Sequence, residues 1–323
     1  MAISGKELLE QMAKDVTIHL EPKIPTMGKK LVITVAVNGA FQTKVHNPYI
    51  ALTPPAVVEQ VIESYGAGAA VWHIHLRDET GLLDNRPDIV QVAIDQVLDK
   101  CPDMIFSHTG HASMDAEGAE RVRPLIDPLT DAGRKNGRRY AETAVIAPYV
   151  RVANARMNKA LLQETVKYLE SRDVKAEFQI HNYMCIHHVN EWLLQPGIME
   201  KPIMNLISGY HGYDYSGPHG AIDPWGHLYL INMIQMMPPG SILGSTVGGR
   251  NWLPMTVLAI MMGADCVRIG MEDACYMYPH KDENIRRCAD VITKVRHIAE
   301  ELGRDIATPK EARQIMGLKP LGA

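Results

Sequence analysis

The sequence lacks most signals of a secreted, membrane-bound or nucleic-acid-binding protein. Its five cysteines are odd in number and show no CxxC spacing, which favours a reduced compartment over a disulfide framework. No apolar run approaches the roughly 18 residues of a spanning helix, and the first residues lack the charged and apolar regions of a signal peptide. A net charge of −4 gives no basic surface for nucleic acid or anionic lipid. These absences predict a cytoplasmic protein without nucleic-acid or membrane partners.

A dinucleotide-binding fingerprint is also missing, since no GxGxxG follows the first apolar run. The 323-residue chain instead alternates β-prone runs with helix-like stretches, without an internal repeat or a low-complexity linker. Eight such units predict an α/β fold of one domain, a (β/α)8 TIM barrel; an open doubly wound sheet is the alternative. Residues 1–29 are predicted to form an N-terminal extension, and residues 308–323 a C-terminal helix and tail.

The predicted elements have the following bounds. The strands are Leu31–Val37, Ala69–Leu76, Asp103–Ser107, Ala141–Ala147, Lys175–Ile180, Pro202–Ser208, Ser241–Val247 and Asp265–Gly270. The helices are Pro54–Tyr65, Pro87–Leu98, Asp115–Asp131, Asn158–Ser171, Pro224–Met236, Trp252–Met262 and Asp282–Leu302.

Two short motifs lie at the ends of the second and eighth predicted strands. His73 and His75 are two residues apart, so on a strand both side chains point to one face. Arg268, Glu272 and Asp273 follow in the other motif. Two imidazoles and one carboxylate form a ligand set of catalytic zinc with an open position for substrate, although other divalent ions also fit. Arg268 with Asp273 could equally be an ion pair that closes the barrel.

Barrel active sites gather at the C-terminal ends of the strands, which defines the other candidates. The Gly248-Gly249-Arg250 segment precedes a predicted helix, where barrels often bind phosphate, but it is also ordinary loop chemistry. The long loop from His211 to Trp225 is either a binding lid or a packed loop at an oligomer interface. The remaining polar residues at strand ends are Asn38, His108, Thr109, Glu142, Glu177, His181 and His211.

The motifs resemble those of the β-keto acid cleavage enzymes, whose best-described member cleaves 3-keto-5-aminohexanoate. The resemblance runs from about Leu31 to Leu318. It rests on four segments: Asn38–Ala40, Gly66–Asp78 with its HIHLRD string, Val267–Asp273 with its VRIGMED string, and Ile298–Pro309. Members of the family look like zinc-dependent (β/α)8 barrels that are usually oligomeric, so a homo-oligomer, dimer or tetramer, is expected.

The resemblance also implies roles for residues and a reaction. His73, His75 and Glu272 match the zinc ligands, Arg268 and Asp273 match the catalytic pair, and Glu177 matches a polar active-site carboxylate. The implied reaction is a Claisen-type exchange in which a β-keto acid and acetyl-CoA give acetoacetate and a new acyl-CoA. Zinc would stabilise the enolate, with Asp273 as general base and Arg268 orienting it. The Gly248–Arg250 segment is our hypothesis for the CoA contact.

The sequence departs from the family pattern at the expected substrate pocket. Phe41 stands where members that act on amino-bearing substrates carry an acidic residue, which disfavours a cationic substrate tail. The third-strand motif reads His108-Thr109-Gly110-His111, so an imidazole replaces a hydroxyl expected to hold the substrate carboxylate, unless Ser107 takes that role. Val145 stands where a small hydroxyl residue is expected.

Two alternatives remain open from the sequence. An amidohydrolase-type hydrolase also uses an HxH motif, and His181, His211 and Asp273 could imitate its later ligands. Against it, the HxH motif lies on the second strand, and the fourth strand offers no lysine for a bridging carbamate. A non-catalytic barrel that retains the ion is the other alternative, and the intact Arg268–Asp273 pair argues against it.

Overall fold

The computed structural model describes residues 3–16, 20–78, 80–110, 116–148, 151–152, 155–156, 158–208 and 225–321. It contains a closed barrel in which each strand pairs in parallel with its neighbours in the chain, and the last strand pairs with the first. The (β/α)8 barrel is thereby confirmed. The strands are β1 (Val32–Ala36), β2 (Val71–Ile74), β3 (Ile105–His108), β4 (Thr143–Ile146), β5 (Lys175–Ile180), β6 (Ile203–Ser208), β7 (Ile242–Val247) and β8 (Cys266–Ile269).

Helices surround the barrel and begin at recognisable signals. Proline occupies the first turn of four of them, where its missing N–H costs nothing. The side chains of Asn158 and Asn182 cap two others. The helices are α1 (Gly5–Asp15), α2 (Pro54–Ala67), α3 (Pro87–Leu98), α4 (Arg123–Asn136), α5 (Lys159–Ser171), α6 (Tyr183–Val189), α7 (Trp225–Gln235), α8 (Trp252–Met261), α9 (Cys288–Glu301) and α10 (Pro309–Met316).

The sequence misplaced the start of two helices and gave no bounds for a third. The predicted 282–302 helix begins only at Cys288, because Asn284 forms an antiparallel bridge with Tyr276. The predicted 115–131 helix begins at Arg123, after a short 3-10 turn over Gly118–Arg121. Between β5 and β6 the structure adds α6. No helix within the described ranges has the length and apolar character to cross a membrane.

The barrel interior changes from apolar to polar along the strands, and this change positions the candidate site. A lower layer is apolar and includes Val32, Val71, Ile105, Ile203, Ile242 and Cys266. Two residues further along their strands, the same face carries His73, Ser107, Asn205 and Arg268, all buried. Four of the eight strands, β2, β3, β6 and β8, therefore carry polar side chains one step nearer the C-terminal mouth of the barrel.

Candidate active site

Three predicted metal ligands meet at the mouth of the barrel. His73 lies on β2, His75 directly follows it, and Glu272 lies in the turn after β8. The Nε2 atoms of the two imidazoles are 3.1 Å apart, and Glu272 Oε1 lies 3.8 and 3.6 Å from them. Ligands about 2.0–2.1 Å from a tetrahedral zinc ion stand about 3.3 Å from one another. The three donor atoms are thus spaced for one ion of that size.

The ligand cluster is buried and keeps polar atoms without protein partners. Within the described part of the chain, neither His75 Nδ1 nor Glu272 Oε2 has a hydrogen-bond partner. Burial, with the nearby Arg268 guanidinium, lowers the pKa of His75 to about 3, so its imidazole is neutral as a metal ligand requires. Burial raises the pKa of Glu272, and Arg268 opposes that rise. A divalent cation would compensate this buried carboxylate.

Two glycines allow Glu272 to reach the histidines. Gly270 has φ +154°, and a Cβ there would lie 1.9 Å from the Ala36 carbonyl oxygen of β1. Gly39 has φ +60°, and a Cβ there would lie 2.5 Å from Glu272 Cγ. The backbone N–H of Glu272 donates to Ala36, and Gln42 Nε2 donates to the Glu272 carbonyl. The Asn-Gly-Ala motif therefore adjoins the site, because its glycine leaves room for the Glu272 side chain, the predicted metal ligand.

The predicted catalytic pair adjoins the metal cluster. Arg268 Nε and Nη2 donate to the two carboxylate oxygens of Asp273 at 3.1 and 2.6 Å. The same Nη2 also donates to Glu272 Oε1 at 3.0 Å. The side chain of Asp273 is only 1% exposed. One guanidinium thus fixes the predicted base relative to the predicted metal ligand, so the ion pair and the active-site role are compatible.

Glu177 of β5 lies at the centre of a hydrogen-bond network inside the barrel. Its Oε2 accepts from the hydroxyls of Ser107 and Thr143, each at 3.0 Å, and its Oε1 accepts from Asn205 Nδ2. Ser107 Oγ also lies 3.4 Å from His73 Nδ1. The network connects the predicted carboxylate to a predicted metal ligand through one hydroxyl.

A family comparison decides what class of enzyme uses this site. The model of the beta-keto acid cleavage enzymes matches residues 30–318. The chain belongs to the β-keto acid cleavage enzyme family. The resemblance seen in the motifs is confirmed, and the amidohydrolase alternative is set aside.

The comparisons also identify curated relatives of this β-keto acid cleavage enzyme. It is 30% identical to the 3-keto-5-aminohexanoate cleavage enzyme of Fusobacterium nucleatum, over 91% of this chain and all of the relative. The enzyme of that name from Acetoanaerobium sticklandii is 28% identical, over 90% and 99%. The 3,5-dioxohexanoate:acetyl-CoA acetone transferase of Paraburkholderia graminis is 26% identical, over 90% and 96%. These alignments span nearly the whole of each relative.

A solved structure supports the same fold for this β-keto acid cleavage enzyme. The complex of ObcA with oxaloacetate superposes with a TM-score of 0.65 at 18% identity. The superposition covers 84% of this chain and 68% of ObcA. At this identity the likeness concerns the barrel alone.

Ser107, rather than His108, occupies the interior position of β3 in this β-keto acid cleavage enzyme. Ser107 contacts His73 and Glu177, and neighbouring residues of a strand point to opposite faces. His108 lies on the other face, with Nε2 2.6 Å from the Tyr140 carbonyl oxygen. The expected replacement of a pocket hydroxyl by the His108 imidazole therefore does not describe the interior. Ser107 holds the interior position, but its hydroxyl is directed at Glu177, so its role toward a substrate carboxylate stays a prediction.

The end of β3 is held close to β4 by a glycine. A Cβ on Gly110 would lie 1.9 Å from the Val145 carbonyl oxygen, so no other residue fits without movement. Thr109 and Val145 are both buried at this mouth of the barrel. Phe41 is 64% exposed beyond the first strand. The substrate-binding roles of Phe41, Thr109 and Gly110 stay predictions.

The Gly248–Arg250 segment is already engaged within the protein. The backbone N–H groups of Gly248 and Gly249 donate to the carbonyls of Ser208 and Asp273, both at 2.8 Å. These two amides are therefore not directed at a phosphate. A CoA contact by this segment stays a prediction and would fall to the Arg250 side chain.

The Arg250 guanidinium lies 3.8 Å from the centroid of the Tyr276 ring and bonds with Asp282. It also donates to the Lys281 carbonyl at 2.9 Å. Its side chain is 41% exposed, so a ligand phosphate would compete with an exposed aspartate.

The remaining sequence candidates are dispersed. Asn38 is buried after β1, and its Nδ2 has no partner among the described residues. Glu142 precedes β4 and pairs with Arg313 at the opposite end of the barrel, so it is remote from the metal cluster. His181 is buried after β5. His111 and the His211 loop up to residue 224 lie outside the described residues.

Sequence reasoning missed four polar residues of the site. Thr143 and Asn205 bind Glu177, and Gln42 binds the Glu272 backbone. Thr246 is buried on β7, pairs in register with Arg268, and has a hydroxyl without a partner among the described residues. For Thr143, Asn205 and Thr246 the available signal was strand alternation, because each is a polar residue on an otherwise apolar strand. Gln42 lies in the loop after β1 and has no such signal.

A cavity of about 700 Å³ at the other end of the barrel does not compete as an active site. Its wall contains Arg134, Arg138, Arg139, Arg172 and Arg313. Each of these arginines pairs with at least one carboxylate within 4 Å, so the cavity carries no excess of positive charge from them.

Proposed function

We propose that this β-keto acid cleavage enzyme is metal-dependent and exchanges acyl groups between a β-keto acid and acetyl-CoA, giving acetoacetate and a new acyl-CoA. The convergence of His73, His75 and Glu272 beside the Arg268–Asp273 pair carries the proposal. The curated relative from Paraburkholderia graminis, named for an acetyl-CoA transferase activity, supports the co-substrate.

The two imidazoles and Glu272 would hold Zn²⁺ or another divalent ion. When bound there, the ion supplies a Lewis acid that stabilises an enolate at the β-keto acid. The chain's own contribution is a buried cluster whose carboxylates are held by hydrogen bonds. Both histidines and Asp273 are buried, and Arg268 bridges the two carboxylates.

Asp273 is the general base of the proposed reaction. It takes the proton from C2 of the β-keto acid, and the resulting carbanion attacks the thioester carbonyl of acetyl-CoA, expelling the CoA thiolate. The thiolate then adds to the original keto carbon, the C2–C3 bond breaks, and acetoacetate leaves as an enolate that recovers the proton from Asp273. Arg268 holds both oxygens of Asp273 by two hydrogen bonds, so the base keeps one orientation through both proton transfers.

The proposed substrate carries a neutral or acidic tail. The three carboxylates of the site are each engaged: Asp273 and Glu272 by Arg268, and Glu177 by three neutral donors. Phe41 adds no charge at the mouth. Within the described part of the chain, these site carboxylates would therefore offer an ammonium tail no ion pair to offset its desolvation.

The test is a mass-spectrometric assay with acetyl-labelled acetyl-CoA and a panel of neutral, acidic and cationic β-keto acids. We expect labelled acetoacetate together with an acyl-CoA that matches the substrate. Asp273→Asn, which is isosteric, should abolish label transfer while leaving metal content unchanged. Release of a free acid without acyl-CoA would instead indicate hydrolysis. Fastest turnover of a cationic β-keto acid would contradict the proposed neutral or acidic substrate tail.

Metal dependence is tested separately with His73→Ala. We expect loss of the bound ion, measured by elemental analysis, in a variant that still folds, because the barrel is closed by backbone pairing. Unfolding of the variant would indicate a structural ion, and retention of stoichiometric metal would contradict the ligand set.

We also propose a cytoplasmic homo-oligomer, dimer or tetramer. Cys101, Cys266, Cys275 and Cys288 form no disulfide bond, as is usual in a reducing compartment. Helix α1 has no buried residue, while Leu8, Leu9 and Met12 are exposed on it. Light scattering at several protein concentrations tests the assembly.

A further inference from the structure

We propose that Ser107 and Glu177 are positioning residues that fix the tautomer of His73 and thereby prepare its Nε2 atom for the metal ion. The inference rests on the proposed metal dependence. It concerns the hydrogen-bond direction along one chain of side chains: Glu177, Ser107 and His73.

Counting protons gives the direction. Ser107 has one hydroxyl proton, and its Oγ lies 3.0 Å from Glu177 Oε2, an oxygen that only accepts when the carboxylate is ionised. With that proton donated to Glu177, Ser107 Oγ can only accept from His73 Nδ1, 3.4 Å away. His73 therefore carries its proton on Nδ1. Its Nε2 lone pair points at the cluster formed with His75 and Glu272.

The network fixes Glu177 as the acceptor at the head of this chain. Thr143 donates to the same oxygen as Ser107, at 3.0 Å, and Asn205 donates its amide to the other oxygen. Asn205 has room only because residue 244 is glycine, since a Cβ there would lie 1.7 Å from Asn205 Oδ1. All three donors are neutral and buried, so they hold the carboxylate in place without an opposite charge.

The direction matters because a metal-binding imidazole needs a bare nitrogen toward the ion. A partner that accepts the other ring N–H selects this tautomer, and loss of such partners typically costs about 10–100-fold in metal affinity. In this protein that partner is the Ser107 hydroxyl. The direction of its O–H bond is set in turn by the Glu177 carboxylate.

Glu177→Gln tests the inference because it keeps the shape and reverses one hydrogen bond. Asn205 Nδ2 still requires an acceptor, so the glutamine oxygen faces Asn205 and its NH2 group faces Ser107. Ser107 Oγ then accepts from Gln and turns its proton toward His73 Nδ1, which moves the imidazole proton to Nε2. We expect zinc affinity, measured by competition with a chromogenic chelator, to fall about 10–100-fold.

The double variant Glu177→Gln with Asn205→Asp is the matched control. An aspartate at 205 accepts from the glutamine NH2, so the glutamine oxygen faces Ser107 again and the original direction returns. We expect most of the zinc affinity to return. Nitrogen-15 NMR of the metal-free proteins should show His73 protonated on Nδ1 in the wild type and the double variant, and on Nε2 in Glu177→Gln.

Wild-type affinity in Glu177→Gln, or no recovery in the double variant, would overturn the inference. Ser107→Ala is a second, independent variant for the case that Glu177→Gln does not fold, and it should lose affinity while Ser107→Thr retains it. A wild-type protein that binds no zinc would contradict the proposed metal dependence. The tautomer observed without metal would still decide the inference about Ser107 and Glu177.

Discussion

Buried imidazoles serve different purposes on the two faces of a barrel strand. His73 and His75 point into the barrel and direct nitrogens at one another and at Glu272. His108 points to the other face and bonds with the Tyr140 carbonyl. The face of the strand, rather than the residue type, separates a candidate ligand from a core histidine.

His108 should make the stability of the protein depend on pH. Burial lowers its pKa to about 4, against about 6.5 in an unfolded chain, so between these values the unfolded chain binds a proton that the native state does not. The contribution of the neutral His108 to the free energy of unfolding is complete above pH 6.5, the unfolded pKa. It falls by about 3 kcal/mol as the pH drops from there to the native pKa of about 4. We test this with His108→Gln, whose amide retains a hydrogen-bond donor. Denaturant unfolding should show that the free energy of unfolding drops less between pH 7 and pH 5 in this variant than in the wild type. An equal loss in both proteins would assign the pH dependence elsewhere.

Phe41 should control the charge of the accepted substrate. It is 64% exposed, so Phe41→Glu adds a carboxylate at the mouth without disturbing the core. A partly exposed ion pair contributes up to about 1 kcal/mol, or about fivefold in kcat/KM for cationic β-keto acids. Phe41→Gln is the neutral control. Similar gains in both variants would mean that loss of the ring, and not the charge, caused the change.

At the scale of elements, α10 is attached to the barrel through its first turn. Thr308 Oγ1 and Glu311 form a reciprocal capping box, and Glu311 also bonds with Lys30, which precedes β1, at 2.8 Å. These hydrogen bonds lower the pKa of Glu311 to about 2, that with Lys30 most. The carboxylate therefore stabilises the attachment above its ordinary pKa, and this stabilisation is lost as pH falls toward 2.

Thr308→Ala should weaken α10 and leave the rest of the barrel intact. Loss of an N-cap side chain costs about 1 kcal/mol, and Thr308→Ser should retain most of it. Amide hydrogen exchange of Pro309–Met316 measures the effect locally. Faster exchange across the whole barrel would mean that the helix and the barrel open together.

The sequence predicted those parts of the site that depend on local periodicity. The two-residue period of a strand placed His73 and His75 together, and the barrel order brought β8 beside β1. The contacts of Glu177 could not be predicted in this way, because they join β3, β4 and β6 at one level set by strand stagger. The predicted start of α9 was wrong for a similar reason, since the bridge between Tyr276 and Asn284 is a non-local pairing that the helical pattern does not reveal.

At the scale of the whole molecule, one buried arginine ties the first strand to the last. The side chain of Arg304 donates to the carbonyls of Lys29, Ile260 and Ala264 at 3.0, 3.1 and 2.8 Å. Lys29 precedes β1, whereas Ile260 lies in the last turn of α8 and Ala264 lies between α8 and β8. The guanidinium thus donates to backbone carbonyls next to β1 and next to β8, the two strands that close the barrel. These carbonyl dipoles stabilise its positive charge.

A second buried arginine closes the opposite end of the barrel from the site. Arg313 of α10 pairs with Glu142 at 2.8 Å, and their side chains are 3% and 2% exposed. Arg313 also donates to the Asp103 and Met104 carbonyls, which precede β3. The C-terminal helix is therefore joined to the start of β4 by a desolvated ion pair, and to the start of β3 by hydrogen bonds from the same guanidinium.

Removing one member of this pair should destabilise the whole barrel, whereas removing both should cost less. Arg313→Met leaves the Glu142 carboxylate buried without its cation, a change that typically costs about 3–5 kcal/mol. In the double variant Arg313→Met with Glu142→Leu no charge is stranded, so denaturant unfolding should recover part of the loss. Because the pair lies at the end of the barrel away from His73, zinc affinity of the folded variants should match the wild type. Costs that simply add in the double variant would show that packing of the Arg313 side chain, and not the stranded charge, dominates at this end of the barrel.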